Sequence, residues 1–242
     1  MRQHKILFLV LLISNFHLFA SATTIIKKNA QADLDGDGRL DKISLSVYPD
    51  AENTSKFVLK INSVIIDGLF DSIEDSKYIQ KELGMKIIDI SKYDKFKEIV
   101  VFYDGGRYDL RKYHLYSFDG HSIQKMLDPL PMLPKYKGNG IVLVDQWRNF
   151  WTKREKYVLN SKTGKLDIVP QELYYVGMEA RVKVMFPIYK TKSGSKIVAN
   201  LKSKSTVLIL AYNTNGWYLI KCESGLIGWT NDLSKLVLPT AG

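Results

Sequence analysis

Four aspartates stand at nearly alternate positions in DLDGDGRLDKISLSV, the stretch from Asp33 to Val47. Counted from Asp33, the side-chain oxygens of Asp33, Asp35, Asp37 and Asp41 fall at positions 1, 3, 5 and 9 of an ion loop. The backbone carbonyl of Arg39 falls at position 7, and Gly38 occupies position 6, where such a loop turns sharply. An all-oxygen set suits a hard cation that takes about six to eight oxygens at roughly 2.3–2.6 Å, so calcium is the cofactor expected. Position 12 carries Ser44 in place of a bidentate glutamate, which predicts weak affinity. A solvated Asp-Gly turn without an ion uses the same residues.

Other reactive types are sparse. Cys222 is the single cysteine, so no intramolecular disulfide forms. It sits in YLIKCES with no neighbouring histidine and reads as a small strand residue. His114 and His121 flank Asp119-Gly120, but two imidazoles lack the third ligand of a metal centre. Ser122 to Lys125 and Lys162 to Gly164 match fragments of the penicillin-binding serine signature; that serine needs a helix, and Ser122 follows a turn. The expectation is therefore a chain without a catalytic set. The alternative is a hydrolase with its catalytic residues dispersed in the N-terminal domain.

The chain of 242 residues opens on MRQHKILFLVLLISNFHLFASA, with Arg2 and Lys5 before an apolar run and an Ala20-Ser-Ala22 cleavage pattern. This predicts a secretory signal peptide over 1–22. The run is interrupted at Ser14 and Asn15 and is shorter than the roughly 20 residues of a spanning helix. Localisation outside the cytoplasm follows: secreted, in the periplasm or cell envelope, with no membrane span in the mature chain. The net charge of +10 is uneven. Residues 23–176 carry 24 Lys and Arg against 22 Asp and Glu, while 177–242 carry 9 against 3. That step places a boundary near Gly177 and a basic domain at 177–242.

Almost every periodic segment reads as strand. KISLSV and KFVLKI alternate branched residues, and YHLYSFDGHSIQKM and KYVLNSKTGKLDIV each enclose a turn between strand-like runs. Helical spacing is confined to Asp71 to Leu83, stopping at Gly84. Prolines make Asp128 to Pro134 loop or edge. The stretch from Asp145 to Leu159 interleaves aromatic and basic residues as a base-stacking strand would. An ordinary half-buried strand reads the same, and no nucleic-acid partner is expected of an exported chain. DLDGDGRLDKISL also overlies DISKYDKFKEIVV at an offset of 56 residues, pairing Asp33 with Asp89 and Asp41 with Lys97. A degenerate repeat and a chance likeness both give that pattern.

DLDGDGRLDKISL resembles the calcium loop of FG-GAP/VCBS repeats, in which the loop leads directly into a strand. The resemblance implies a structural calcium and a propeller-blade-like β-meander, atypical here because 23–176 is too short for a closed propeller. Ala180 to Leu233, with PIYKTKSGSKIVANL, STVLIL, Gly216-Trp217-Tyr218 and Gly228-Trp229, resembles a bacterial SH3 (SH3b) domain. It departs from that pattern at Ser205, where a glycine is usual. The fold class expected is mostly β: a β-rich domain over 23–176 and a small SH3-like β-barrel over 177–242. The resemblance implies a non-catalytic envelope-associated binding protein whose partner is peptidoglycan or a cell-wall peptide, with an envelope protein as the other candidate. Tyr189, Trp217, Tyr218 and Trp229 are the expected contact residues, and the basic charge suits an anionic wall.

Overall fold

The structure is a computed structural model, described over residues 26–49, 55–70, 83–103 and 111–239. The expected signal peptide and residues 71–82 of the expected helix lie outside the described residues. Among the described residues every regular element is a strand, an all-β fold. Leu83 and Gly84, read as the helix end and its stop, instead open a strand.

Three four-stranded antiparallel meanders follow one another. The first holds β1 (Ile26–Ala32), β2 (Asp41–Pro49), β3 (Ser55–Ile61) and β4 (Val64–Phe70); the second holds β5 (Leu83–Ile88), β6 (Glu98–Tyr103), β7 (Lys112–Phe118) and β8 (Ile123–Lys125). The third holds β9 (Lys135–Tyr136), β10 (Ile141–Arg148), β11 (Trp151–Asn160) and β12 (Lys165–Ile168). The hairpins β7–β8 and β11–β12 fall where the turn sequences placed them. Asn149 opens the two-residue turn between β10 and β11 at φ 62°, a left-handed conformation that asparagine tolerates.

The meanders stack. Ile43, Leu45, Val47, Phe57 and Leu59 of the first pack on Ile99, Val101, Tyr103 and Phe118 of the second. Phe57 stands opposite Gly68 on β4 and lays its ring over it, so the glycine is what admits the ring. The second sheet's other face, with Ile88, Val100 and Leu115, meets Val142, Val144 and Leu166 of the third. A sheet covered on both faces needs apolar residues at consecutive positions, which is why β6 reads EIVVFY without alternation. Each such side chain removed from water contributes about 1.5–3 kcal/mol.

The remaining strands form one seven-stranded sheet: β13 (Leu173–Val182), β14 (Phe186–Tyr189), β15 (Ile197–Leu201), β16 (Thr206–Asn213), β17 (Trp217–Cys222), β18 (Ile227–Thr230) and β19 (Leu236–Val237). Its spatial order is β15-β14-β18-β17-β16-β13-β19. The sheet curls into a half-barrel around Val182, Ile188, Leu201, Val207, Ile209 and Ile220, and Phe150 and Trp151 of the third meander join that core. Residues 176 and 177 lie inside β13, which pairs with β16 from Leu173 to Arg181. The charge step tracks surface composition, whereas pairing starts four residues earlier. Gly177, at φ 66°, marks a bulge in this strand. A buried ion pair forms within β11, where Lys153 Nζ lies 2.6 Å from Glu155 Oε1, and the same ammonium reaches β13 by standing 4.6 Å from the centre of the Tyr174 ring.

Candidate functional site

The loops joining the first two strands of each meander lie against one another. In the first, 33–40, the Leu34 carbonyl accepts the Lys97 N–H of the second at 2.9 Å. In the second, 89–97, the Ile90 carbonyl accepts the Gly140 N–H of the third at 2.8 Å, and Lys92 N–H donates to Gly138 at 3.0 Å. Lys97 and Gly140 each immediately precede the second strand of their meander, so the two contacts are equivalent. The likeness between residues 33–45 and 89–101 therefore corresponds to a repeated position in the fold, with one residue added in the second loop. Asp41 matches Glu98 rather than Lys97, and Ile43 matches Val100 rather than Ile99: both members of each pair face the next sheet.

The equivalent carboxylates open their strands and are both buried, Asp41 at 7 % exposure and Glu98 at 2 %. Asp41 Oδ2 accepts the Leu34 N–H at 2.9 Å, and Glu98 Oε2 accepts the Ile90 N–H at 2.9 Å. Asp41 Oδ1 also accepts from Asn62 Nδ2 at 2.8 Å. Glu98 Oε1 has no partner among the described residues, and Glu98 lines a cavity of about 270 Å³ between the second and third meanders. Burial pushes the Glu98 carboxyl up to about 7, with the N–H groups of Ile90 and of Glu98 itself opposing and the charges of Asp94 and Asp89 adding to the rise.

Of the expected cation ligands, Asp33, Asp35 and Asp37 come together, with one oxygen from each lying within 4.8 Å of the others. That group has the donor chemistry to hold a metal ion. Asp33 accepts the N–H groups of Gly36 at 2.8 Å and Gly38 at 3.1 Å, which wraps the loop around it. Arg39 is exposed on the same loop, its N–H held by Asp37 Oδ1 at 2.7 Å. Asp41 stands apart from the group, with both oxygens occupied as described.

On the half-barrel, Tyr189 and Trp229 are direct cross-strand neighbours, so their side chains share a face. Leu219 pairs with Trp229, and Trp217 lies two residues before it on that same face. All four are half-buried and stand outside the core. Lys192 Nζ sits 5.3 Å above the Trp229 ring, and Ile197 and Ile227 on the flanking strands are 55 % and 47 % exposed. Tyr218 points the other way, its ring tilted against Tyr212 at 5.0 Å and against Phe150 at 6.3 Å. It joins the structural side of the sheet and not the aromatic face.

The two histidines do not share a site. His114 is buried edge-on against the rings of Phe57 and Phe70, whereas His121 is exposed in the β7–β8 turn. Cys222 Sγ lies 3.1 Å from Ser224 Oγ. Among the described residues no helix is long and apolar enough to cross a membrane. Sequence reading missed Glu98, although sliding the strand half of the repeat by one residue would have set it against Asp41. In comparison with known proteins, no family model matches the chain, and neither a curated protein nor a solved structure matches it.

Proposed function

We propose that the chain is a secreted, non-catalytic binding protein of the bacterial cell envelope. Its half-barrel is read as an SH3b-type module that holds peptidoglycan on the face bearing Tyr189, Trp217 and Trp229. The meanders are read as propeller-blade-like repeats of the FG-GAP/VCBS kind, in which calcium held by Asp33, Asp35 and Asp37 ties a loop to the sheet. The observation that carries the binding reading is the cross-strand pair Tyr189 and Trp229, half-exposed and capped by Lys192. Flat aromatic faces bind apolar portions of a ligand, while the lysines of a region carrying 9 Lys and Arg against 3 Asp and Glu attract the anionic wall.

The hydrolase alternative draws on Glu98, a desolvated acid in a cavity. Its neighbour Asp119 is a poor second catalytic carboxylate, because it already accepts from His121 N, Ser122 N and Ser122 Oγ at 2.9, 2.6 and 2.9 Å.

Cosedimentation of the full chain with purified sacculi tests the binding reading. Wild type should pellet with sacculi at low salt and less as salt shortens the screening length from about 10 Å at 0.1 M to about 3 Å at 1 M. Trp229→Ala and Tyr189→Ala should each weaken retention about tenfold with circular dichroism unchanged. Undiminished retention of the double variant would remove the aromatic face from the function. Release of soluble fragments that stops in Glu98→Gln would favour the hydrolase.

A further inference from the structure

The cavity between the second and third meanders is not used by the reading above. It is lined by three different connections: the β5–β6 loop with Asp94 and Phe96, the β7–β8 turn with Asp119, and the β11–β12 turn from Asn160 to Gly164. Phe96, Met126 and Leu159 supply apolar wall. Its polar lining is uneven. Asp119 is held by its own turn, and Asn160 Oδ1 accepts the N–H groups of Lys162 and Thr163 at 3.1 and 3.3 Å. Glu98 Oε1 is unoccupied on a side chain that is 2 % exposed. Ser117 and Gln124, cross-strand neighbours on β7 and β8, also line the cavity, and neither the Ser117 hydroxyl nor the Gln124 carbonyl has a partner among the described residues.

We propose that this cavity binds a small organic cation, a primary ammonium on an aliphatic stem, with Glu98 Oε1 as the anionic acceptor and Ser117 Oγ and Gln124 Oε1 as the neutral ones. Three acceptors match the three N–H donors of an ammonium, and the aromatic and aliphatic wall suits a run of methylenes. The charges acting most strongly on Glu98 are the acids Asp94 and Asp89. Asp89 itself keeps a buried Oδ1 with no hydrogen-bond partner. A buried carboxyl among acids gains when a cation enters beside it. In a chain of net charge +10, this lining sets Asp94, Glu98 and Asp119 against Lys162 alone. A bare divalent ion is a poorer occupant. It needs about six to eight oxygens, whereas much of this wall is carbon.

The inference does not depend on peptidoglycan binding, since it concerns a different face. Isothermal titration of the full chain with n-pentylammonium chloride, and in parallel with n-pentanol, tests it. The ammonium should bind saturably and the alcohol should not. Glu98→Gln keeps an acceptor for the Ile90 N–H but replaces the anion, and should bind about tenfold more weakly or worse. The wild-type protein alone gives a second readout. With Asp94, Asp89, Asp119 and Lys162 around it, Glu98 loses its proton near neutrality, so ammonium affinity should fall about tenfold from about pH 8 to about pH 6. Pentanol binding as tight as pentylammonium, affinity that ignores pH, or unchanged affinity in Glu98→Gln would each overturn the proposal, as would absence of saturable binding.

Discussion

Asp41 and Glu98 open the second strand of successive meanders, and each accepts the N–H of the apolar residue that follows the first aspartate of its loop, Leu34 and Ile90. What surrounds the second oxygen differs. In the first meander the β3–β4 turn contributes Asn62, at φ 53°, whose amide closes Asp41 Oδ1 and whose own carbonyl oxygen takes the Lys42 N–H at 2.9 Å. In the second, the β7–β8 turn carries Asp119, which folds onto its own N–H groups. The carboxylate is longer by one methylene and opens onto a cavity. A repeated backbone position thus serves as a closed structural clamp in one sheet and as an available acceptor in the next.

Breaking the closed clamp should have the largest effect. Asp41→Ala leaves the buried Leu34 N–H and the Asn62 amide without their charged acceptor, a loss of about 3 kcal/mol or more. Urea denaturation of the full chain measures it; a loss below about 1 kcal/mol would mean that water replaces Asp41 easily and that the two positions are not built alike.

Opening the comparison at Glu98 should give a smaller effect that depends on pH. Its folded carboxyl titrates at about 7 against an ordinary 4.5, because burial disfavours the charged form. The folded chain therefore holds this proton more tightly than the unfolded chain. That contribution is fully present below about 4.5 and is lost as pH rises through about 7, amounting to about 3 kcal/mol at most. Asp145 behaves oppositely. Hydrogen bonds from Arg154 and Lys135 hold it at about 2, so its contribution is lost only as pH falls from 3.8 through that value. The two windows do not overlap. Glu98→Gln should flatten the melting temperature between about pH 5 and about pH 8 while leaving the acid limb in place. A slope unchanged by the substitution would mean that Glu98 is better solvated than its burial implies.

Much of this architecture was legible in the residues. Alternation in KFVLKI and the Asp-Gly turn after Phe118 specify hairpins, because branched residues favour the pleat and glycine supplies the positive φ of 91° at Gly120. The grouping of Asp33, Asp35 and Asp37 was legible because their spacing is local: turns within the loop bring them together. Asp41 was misplaced for the opposite reason. Its Oδ2 accepts the Leu34 N–H, and its Oδ1 is taken by Asn62, 21 residues away on another turn, a pairing that spacing within the loop does not encode. The Glu98 cavity was illegible because its walls come from three connections spread from Asp94 to Gly164. Tyr218 falls on the opposite face from Trp217 because a strand turns successive neighbours to opposite faces, an alternation that motif adjacency overlooks.

The smallest effect separates the two loops by their acids. Loop 33–40 gathers three carboxylates within 4.8 Å, whereas among the described residues no such group forms in loop 89–97. Calcium that binds only the folded chain stabilises by about 1.4 kcal/mol at tenfold excess over its dissociation constant. Millimolar calcium should therefore raise the melting temperature of the full chain by a few degrees, Asp35→Ala should abolish the rise, and Asp94→Asn should preserve it. The response should also reach the second meander. Asp35 lies against the β7–β8 turn so closely that a Cβ at Gly120 would stand 2.5 Å from its Oδ2. Holding Asp35 in place should slow amide exchange at Gly120 and His121 when calcium is added. Slowing confined to residues 33–40 would show that the loop binds its ion without bracing the neighbouring sheet, and an equal temperature shift in Asp35→Ala would place the ion elsewhere.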